Sequence, residues 1–529
     1  MRRTMRQEGL VDQRRLSVLK ISLVGDHADV RRSFLSMGEQ LGVPEIGDSI
    51  NGDSDFTVYI GDSEVSDITH PYTRALVLDD GVLLTQDREA RMGNPSDLQR
   101  GGLATIAASL AWQEIIRMCG LILPIEVPKK YVTVNLRVDP MTMGDVTDIQ
   151  EEMVLESSID GTEMPFSVLG RDDGTGHVLV RARLEQEDGI VDDLLGSLSF
   201  RRRGVSNDVP APSEIDIRLP RAEGTLSGNG IIAGVGGLGT WALDTLIKGF
   251  ADSRTNGDKV SLRIIDPDLK IEIHNLNRQV LYDSGDLGRA KAEVAKERLQ
   301  RSIGGIEVVS YNEEIGVNNL LSLHHADENG LSDSQDIEWL GDSDDLGFND
   351  FLDEEFEQMC NDADFILCGV DNLRARAVLS GISSKAGVPM INAGAQGFHG
   401  QFDLFTERGS CMLCRYGLGV LSQGGAMSCQ EDGEVPFGSI VTSTALFGAL
   451  EGLAMISVLS GGPVSLHRWP SQISWEGRAN SLSMDYSHDS GMFSMAFEPR
   501  DDHSAHIRNE ILGGSHNDPS GENVTSDGE

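Results

Sequence analysis

The amino-acid sequence predicts an α/β protein: a parallel sheet with flanking helices, preceded by a degenerate copy of the same fold and a small β-rich segment. Three observations lead there. From Gly228 onward, strand-like and helix-like segments alternate, the pattern of a parallel sheet wrapped by crossover helices. An internal repeat relates residues 55–62 to 364–371 and residues 101–114 to 438–451, in the same order. Finally, 529 residues are too many for one core, at roughly 150 residues per domain.

The elements follow in order. Lys20-Ile21-Ser22-Leu23-Val24-Gly25 reads as a buried strand leading into a helix near 30–41, and Phe56-Thr57-Val58-Tyr59-Ile60 as a second strand. A long apolar helix at 103–118 and a strand at 131–136 complete the first half, residues 1–138. Val24-Gly25-Asp26-His27-Ala28 stands there where a phosphate loop would sit, and it lacks the glycines, so this copy is read as degenerate. Residues 139–220 alternate short strand-like pieces with turns such as Asp172-Asp173-Gly174, and end in a linker at 206–220 carrying three prolines. The working copy spans 221–512, with an acidic, turn-rich insertion near 318–350. Residues 513–529, polar and rich in Gly, Asn and Ser, are read as disordered.

Composition excludes several classes. Forty-four Lys+Arg against 84 Asp+Glu leave a net charge of −40, the wrong sign for nucleic acid as the main partner. No run approaches the ~18 uninterrupted apolar residues of a membrane span. The opening Met1-Arg2-Arg3-Thr4-Met5-Arg6 has no apolar stretch behind it, so it is not read as a signal peptide. Six cysteines in such a chain do not make a disulfide framework, and a reducing cytoplasm is expected. Acid excess with 9 Lys against 35 Arg suits a salt-rich cytoplasm, so a halophilic source is expected.

Chemistry begins at Ile231-Ile232-Ala233-Gly234-Val235-Gly236-Gly237-Leu238-Gly239, a strand running into a G-x-G-G-x-G turn and a helix. Glycines let backbone N–H groups close on a phosphate, and the helix N-terminus adds positive potential; the motif suits any Rossmann-like nucleotide site. Asp266, after the next strand, is placed to hydrogen-bond a ribose hydroxyl. Asn275-Leu276-Asn277-Arg278-Gln279 and then Lys291 put two cations downstream, a pairing suited to a triphosphate rather than to a dinucleotide. The strand at 364–368 ends in Gly369-Val370-Asp371-Asn372, placing a carboxylate where Mg²⁺ and a reacting phosphate are expected.

With these motifs, residues 228–485 resemble the adenylating domain of the ThiF/MoeB/ubiquitin-activating-enzyme superfamily. The resemblance implies Mg-ATP and adenylation of the C-terminal glycine of a small ubiquitin-fold or sulfur-carrier protein. It assigns Gly234, Gly236, Gly237, Gly239 and Asp266 to the nucleotide, Asn275, Arg278 and Lys291 to the phosphates, and Asp371 with Asn372 to metal and reaction centre. The segment between Asp266 and Asn275 is one residue longer than usual, with His274 where serine is common. Arg6-Gln7, Gly9, Gln13 and Leu16 resemble the family's opening, whose arginine reaches into a partner's site in homodimers. The second copy lacks such an arginine, which implies a pseudo-dimer within one chain, with a further homodimer left open. In the superfamily the loop carrying Cys429 supplies the thiol that takes the activated acyl group as a thioester or through a persulfide. Against this, Glu431 and Asp432 beside Cys429 raise a thiol's pKa. Cys411 and Cys414 match one half of a structural zinc site; no cysteine follows Cys429 to complete it, so zinc is not expected. The competing readings are a non-catalytic scaffold of this fold and an NAD-dependent oxidoreductase, which shares the glycine loop and Asp266.

Overall fold

The computed structural model describes residues 7, 10–48, 54–62, 65, 70–123, 211–315, 353–371, 373–406, 412 and 438–486, together with the strands of residues 131–202. The insertion at 318–350, the tail at 513–529, Arg6, Asn372, Cys411, Cys414 and Cys429 lie outside the described residues.

The carboxyl-terminal sheet has eight strands in the order Glu307–Tyr311, Val260–Ile265, Gly228–Ala233, Phe365–Cys368, Met390–Gln396, His399–Phe405, Gln472–Glu476 and Ser481–Asp485. The first five run parallel and the last three antiparallel. The central strands Gly228–Ala233 and Phe365–Cys368 are apolar on both faces, as a sheet covered by helices requires.

The amino-terminal sheet has six strands, Ile215–Arg218, Gly81–Thr85, Tyr72–Val77, Phe56–Tyr59, Lys20–Val24 and Glu45–Gly47. Its four strands from Tyr72–Val77 to Glu45–Gly47 are parallel and the other two antiparallel, so it repeats the order and polarity of six strands of the larger sheet. Register matches as well: Val24 pairs with Tyr59 as Ala233 pairs with Cys368.

Two elements sit outside the sequence-derived boundaries. Ile215–Arg218, within the expected linker, is an edge strand of the first sheet, with Ile215 and Ile217 buried and Asp216 and Arg218 exposed. The flanking prolines hide this short alternation from a pattern search, and pairing with Gly81–Thr85 makes it a strand. Tyr131–Val138 pairs with Val178–Glu185, so it groups with the middle segment rather than with the first half. That segment forms two three-stranded sheets.

Four helices meet between the large sheets: Ala28–Leu41, Asp97–Met118, Gly237–Ser253 and Val441–Gly461. Among the described residues only Val441–Gly461 is long and apolar enough to cross a membrane, and it is wholly buried inside the protein. At Gly448 a Cβ would sit 2.5 Å from the Leu238 carbonyl oxygen, so the glycine permits the close crossing of these helices. Polar ties join the halves: the Ser109 hydroxyl donates to the Thr442 carbonyl, Thr442 Oγ1 to Gln113 Oε1 (2.8 Å) and Gln113 Nε2 to the Gly477 carbonyl (2.6 Å). One apolar core runs through both halves, from Leu23 and Trp112 to Leu453 and Trp475.

Candidate functional site

The site forms where Gly228–Ala233 turns into helix Gly237–Ser253. Gly234 has φ +87°, and a Cβ there would lie 2.8 Å from the Gly369 carbonyl group. A Cβ at Gly239 would lie 2.1 Å from the Gly234 carbonyl oxygen, so the loop closes on itself only with glycine at both places. Gly236 caps the helix with no side chain, and a Cβ there meets nothing nearer than Gln279 Nε2 at 4.0 Å. The helix amides therefore open onto a cavity of about 590 Å³.

Gly234, Gly236, Gly237, Asp266, Asn275 and Arg278 all line that cavity, as do Lys291 and Asp371; Gly239 packs beneath its floor. Asp266 is 4% exposed and accepts from the Val235 amide (2.7 Å) and the Asp268 amide (2.9 Å). It thus braces the glycine loop with one oxygen and its own following turn with the other. Burial pushes its carboxyl above the usual range, and the Lys291 charge and these amides pull it back. Lys291 opens the helix Lys291–Ser302, is buried, and pairs through Nζ with the Asp268 carboxylate.

Asn275 Oδ1 accepts from the Glu272 amide (2.8 Å), closing a cap on the short turn Ile273–Asn275. Arg278 Nη1 donates to the His274 carbonyl (3.0 Å) and Asn277 Oδ1 (3.1 Å), and its own carbonyl accepts from Trp241 Nε1 (2.9 Å). Asp371 is exposed in the cavity lining, three residues past strand Phe365–Cys368. The Asp371 carboxylate fits Mg²⁺, which keeps several waters and shares phosphate oxygens; no cluster of three His, Cys, Asp or Glu that could hold a metal occurs among the described residues.

Sequence reasoning missed three groups. Arg376 lines the cavity and donates from Nη2 to the Val370 carbonyl (2.6 Å), and from Nη1 to Asn392 Oδ1 (2.6 Å) and the Ala393 carbonyl (2.8 Å). Its spacing of five residues from Asp371 on a following helix was the available signal. Gln279, inside the Asn275–Arg278 motif's own run, lines the cavity with Oε1 buried and unpartnered. Glu451, a lone acid in an apolar helix, is fully buried.

The first half shows what closes such a site. Gly25 (φ +126°) abuts the Ile60 carbonyl oxygen as Gly234 abuts Gly369. But His27 takes the place of Gly236, and its Nδ1 accepts from the Val30 amide (3.3 Å), capping the helix end that Gly236 leaves bare. Burial lowers the His27 pKa, which keeps the ring neutral and able to accept. Arg74, fully buried, sends its guanidinium to the carbonyls of Asp87 (2.9 Å), Arg88 (2.8 Å) and Gly61 (3.4 Å), where the other half keeps space.

Comparison with known proteins agrees with the motifs. Residues 226–473 match the ThiF family. Over 224 residues it is 28% identical to SUMO-activating enzyme subunit 2 of Dictyostelium discoideum, covering 42% of this chain and 27% of that one. It is 27% identical over 184 residues to the NEDD8-activating enzyme E1 catalytic subunit of Arabidopsis thaliana, covering 32% and 30%. It is 25% identical over 249 residues to the sulfur carrier protein ThiS adenylyltransferase of Escherichia coli, covering 46% and 78%. The chain thus spans about a third or less of the first two relatives' length. A solved structure of E. coli MccB aligns with 18% identity and a TM-score of 0.35, covering 52% of this chain and 65% of that one.

Proposed function

We propose that this ThiF family domain is an ATP-dependent adenylyltransferase that activates the C-terminal glycine of a small ubiquitin-like or sulfur-carrier protein. The observation that carries the reading is the convergence of an uncapped helix N-terminus, two cations and a carboxylate on one cavity. The bare amides from Gly236 onward and the Arg278 and Lys291 side chains suit the phosphates of ATP. The partner's terminal carboxylate attacks the α-phosphorus, the bond to the bridging oxygen breaks, and pyrophosphate leaves. Charge builds on the α-phosphoryl oxygens, and groups fixed in advance around it lower the barrier without reorganising. Asp371 would hold Mg²⁺, which neutralises phosphate charge when bound.

Arg6 is assigned as a further cation supplied by the first half of the same chain. Supporting this, Leu10 packs on Gly438, at the cavity rim, and on Gly397. The four residues from Arg6 to Leu10 span up to ~14 Å when extended. Cys429 is assigned as acyl acceptor: its thiolate attacks the acyl-adenylate carbonyl, a thioester forms and AMP leaves. The alternative use of the same thiol is as a persulfide: a separate persulfide donor passes its outer sulfane sulfur to the thiolate, and that sulfur attacks the acyl-adenylate carbonyl as AMP leaves.

ATP–pyrophosphate exchange with candidate proteins ending in Gly-Gly tests the reading, run in concentrated KCl to match the strong acidity of the chain. Exchange is expected with at least one carrier and is expected to vanish in Asp371→Ala. Exchange that survives Asp371→Ala would place the reaction centre elsewhere.

A further inference from the structure

Both halves bring a guanidinium to one backbone carbonyl, and they draw it from different places. In the repeat, strand Phe56–Tyr59 is the counterpart of Phe365–Cys368, so Gly61 corresponds to Val370 and Asp62 to Asp371. Strand pairing carries the match further. Tyr59 is in register with Arg74, and Cys368 with Asn392. Arg74 then pairs with Thr85 across the next ladder, as Asn392 pairs with Asp403. Arg74 and Asn392 therefore hold the same position in the two sheets.

They fill it differently. Arg74, fully buried, donates from Nη2 to the Gly61 carbonyl (3.4 Å) and from Nη1 to the carbonyls of Asp87 (2.9 Å) and Arg88 (2.8 Å). The Asp62 carboxylate accepts from the Met92 amide (2.8 Å). Asn392, 3% exposed, reaches less far: its Nδ2 donates to Asp403 Oδ2 (3.3 Å), and its Oδ1 accepts from Arg376 Nη1 (2.6 Å). The Val370 carbonyl, counterpart of Gly61's, accepts from Arg376 Nη2 (2.6 Å), and Arg376 comes from helix Leu373–Ala386. One carbonyl is thus held by a guanidinium in both halves, from the strand in the first and from the helix in the second.

The difference bears on space. A carbonyl shut away from water without a donor costs stability, so each half supplies one. Reaching it from position 74 puts a long side chain through the room beside the Asp62 turn. Reaching it from position 376 leaves only the short Asn392 amide there. Arg376 and Asn392 line the cavity together with Asp371. A Cβ at Gly394, on the same strand as Asn392, would lie 3.9 Å from both Nη atoms of Arg376, so the strand does not crowd that guanidinium. The second half keeps the bond and frees the room.

We propose that Arg376 and Asn392 are a positioning pair: Arg376 holds the Val370–Asp371 turn from the helix, so that position 392 carries only a short amide and the space beside Asp371 stays open for substrate. That the substrate is a phosphoryl group and an attacking carboxylate rests on the activating-enzyme reading above. The full-length parent, R376M and the double variant R376M/N392R, which moves the guanidinium to the place Arg74 holds, are compared by thermal melting and ATP–pyrophosphate exchange. R376M should melt at least about 3 °C below the parent, and adding N392R should recover at least about half of that loss. Exchange should move the other way, with kcat/KM of the double variant at least about tenfold below R376M and at least about a hundredfold below the parent. A purely structural pair would gain or lose stability and exchange together. Movement of both in one direction, or no recovery of stability by N392R, overturns the assignment. R376M that folds only when N392R is present meets the expectation for stability, and failure of both to fold overturns it. Absence of exchange in the parent with every carrier tried defeats the activating-enzyme reading alone. A crystal structure of the double variant then decides this inference: the new guanidinium on the Val370 carbonyl, filling the room beside Asp371, supports it, and a guanidinium turned elsewhere overturns it.

Discussion

Gly234 and Gly236, two residues apart, should fail in opposite ways when replaced by alanine. At Gly234 the backbone sits at φ +87°, where an L side chain costs roughly 1–2 kcal/mol. The new Cβ would also press within 2.8 Å of the Gly369 carbonyl group, adding an overpacking cost of roughly 1–3 kcal/mol. Together, roughly 2–5 kcal/mol corresponds to a melting temperature lower by about 5–15 °C for a unit of this size. At Gly236 φ is −82° and the nearest atom to a Cβ is 4.0 Å away, so folding should be spared. That Cβ would occupy the mouth of the helix N-terminus instead. Losing one charge-assisted hydrogen bond to phosphate there costs about 1.5–3 kcal/mol, or about ten- to a hundredfold in ATP Kd. Calorimetric melting and ATP titration of Gly234→Ala and Gly236→Ala separate the two effects. Parent-like ATP affinity in Gly236→Ala would refute the placement of the phosphates, and a parent-like melt in Gly234→Ala would refute the steric argument.

Other outcomes follow from the same geometry. Cys429→Ser should spare ATP–pyrophosphate exchange yet abolish a reductant-sensitive adduct with the carrier on a non-reducing gel; loss of exchange would make Cys429 part of the first step instead. Lys291→Met removes the cation that holds down the Asp266 carboxyl and pairs with Asp268. Asp268 is 36% exposed, so the stability loss at neutral pH should be about 1–3 kcal/mol, less than for a fully buried pair. The folded pKa of Asp266 already lies above its ordinary 3.8, so the stability it contributes is complete below that pH and is lost as pH rises. Without Lys291 the loss is larger. The melting gap between parent and variant should therefore be small near pH 4 and widen toward pH 8, and a gap independent of pH would contradict this.

Much of the site was legible because its chemistry depends on residue type at short spacing. A strand, glycines at 234, 236, 237 and 239, and then Asp266, Asn275, Arg278, Lys291 and Asp371 follow in an order that one fold brings to a single sheet edge. What each does locally was less legible. Asp266 is expected at a ribose hydroxyl, and the structure adds a role that spacing does not show: Oδ2 accepts from the Val235 amide of the loop and Oδ1 from the Asp268 amide. Strand Ile215–Arg218 was hidden among prolines, because pairing with a partner about 130 residues away makes it a strand.

By itself, the order of residues determined the fold class, the repeat and the glycine loop, since each rests on local periodicity or on glycine's freedom from a Cβ. Only the tertiary structure decided that the first half's site is shut, by His27 on a helix end and Arg74 in the space beyond it. It also decided that Glu451, the lone acid of helix Val441–Gly461, is fully buried. Neither is written in spacing, because a side chain's partner across the fold is set by which surfaces pack, and packing couples residues hundreds of positions apart.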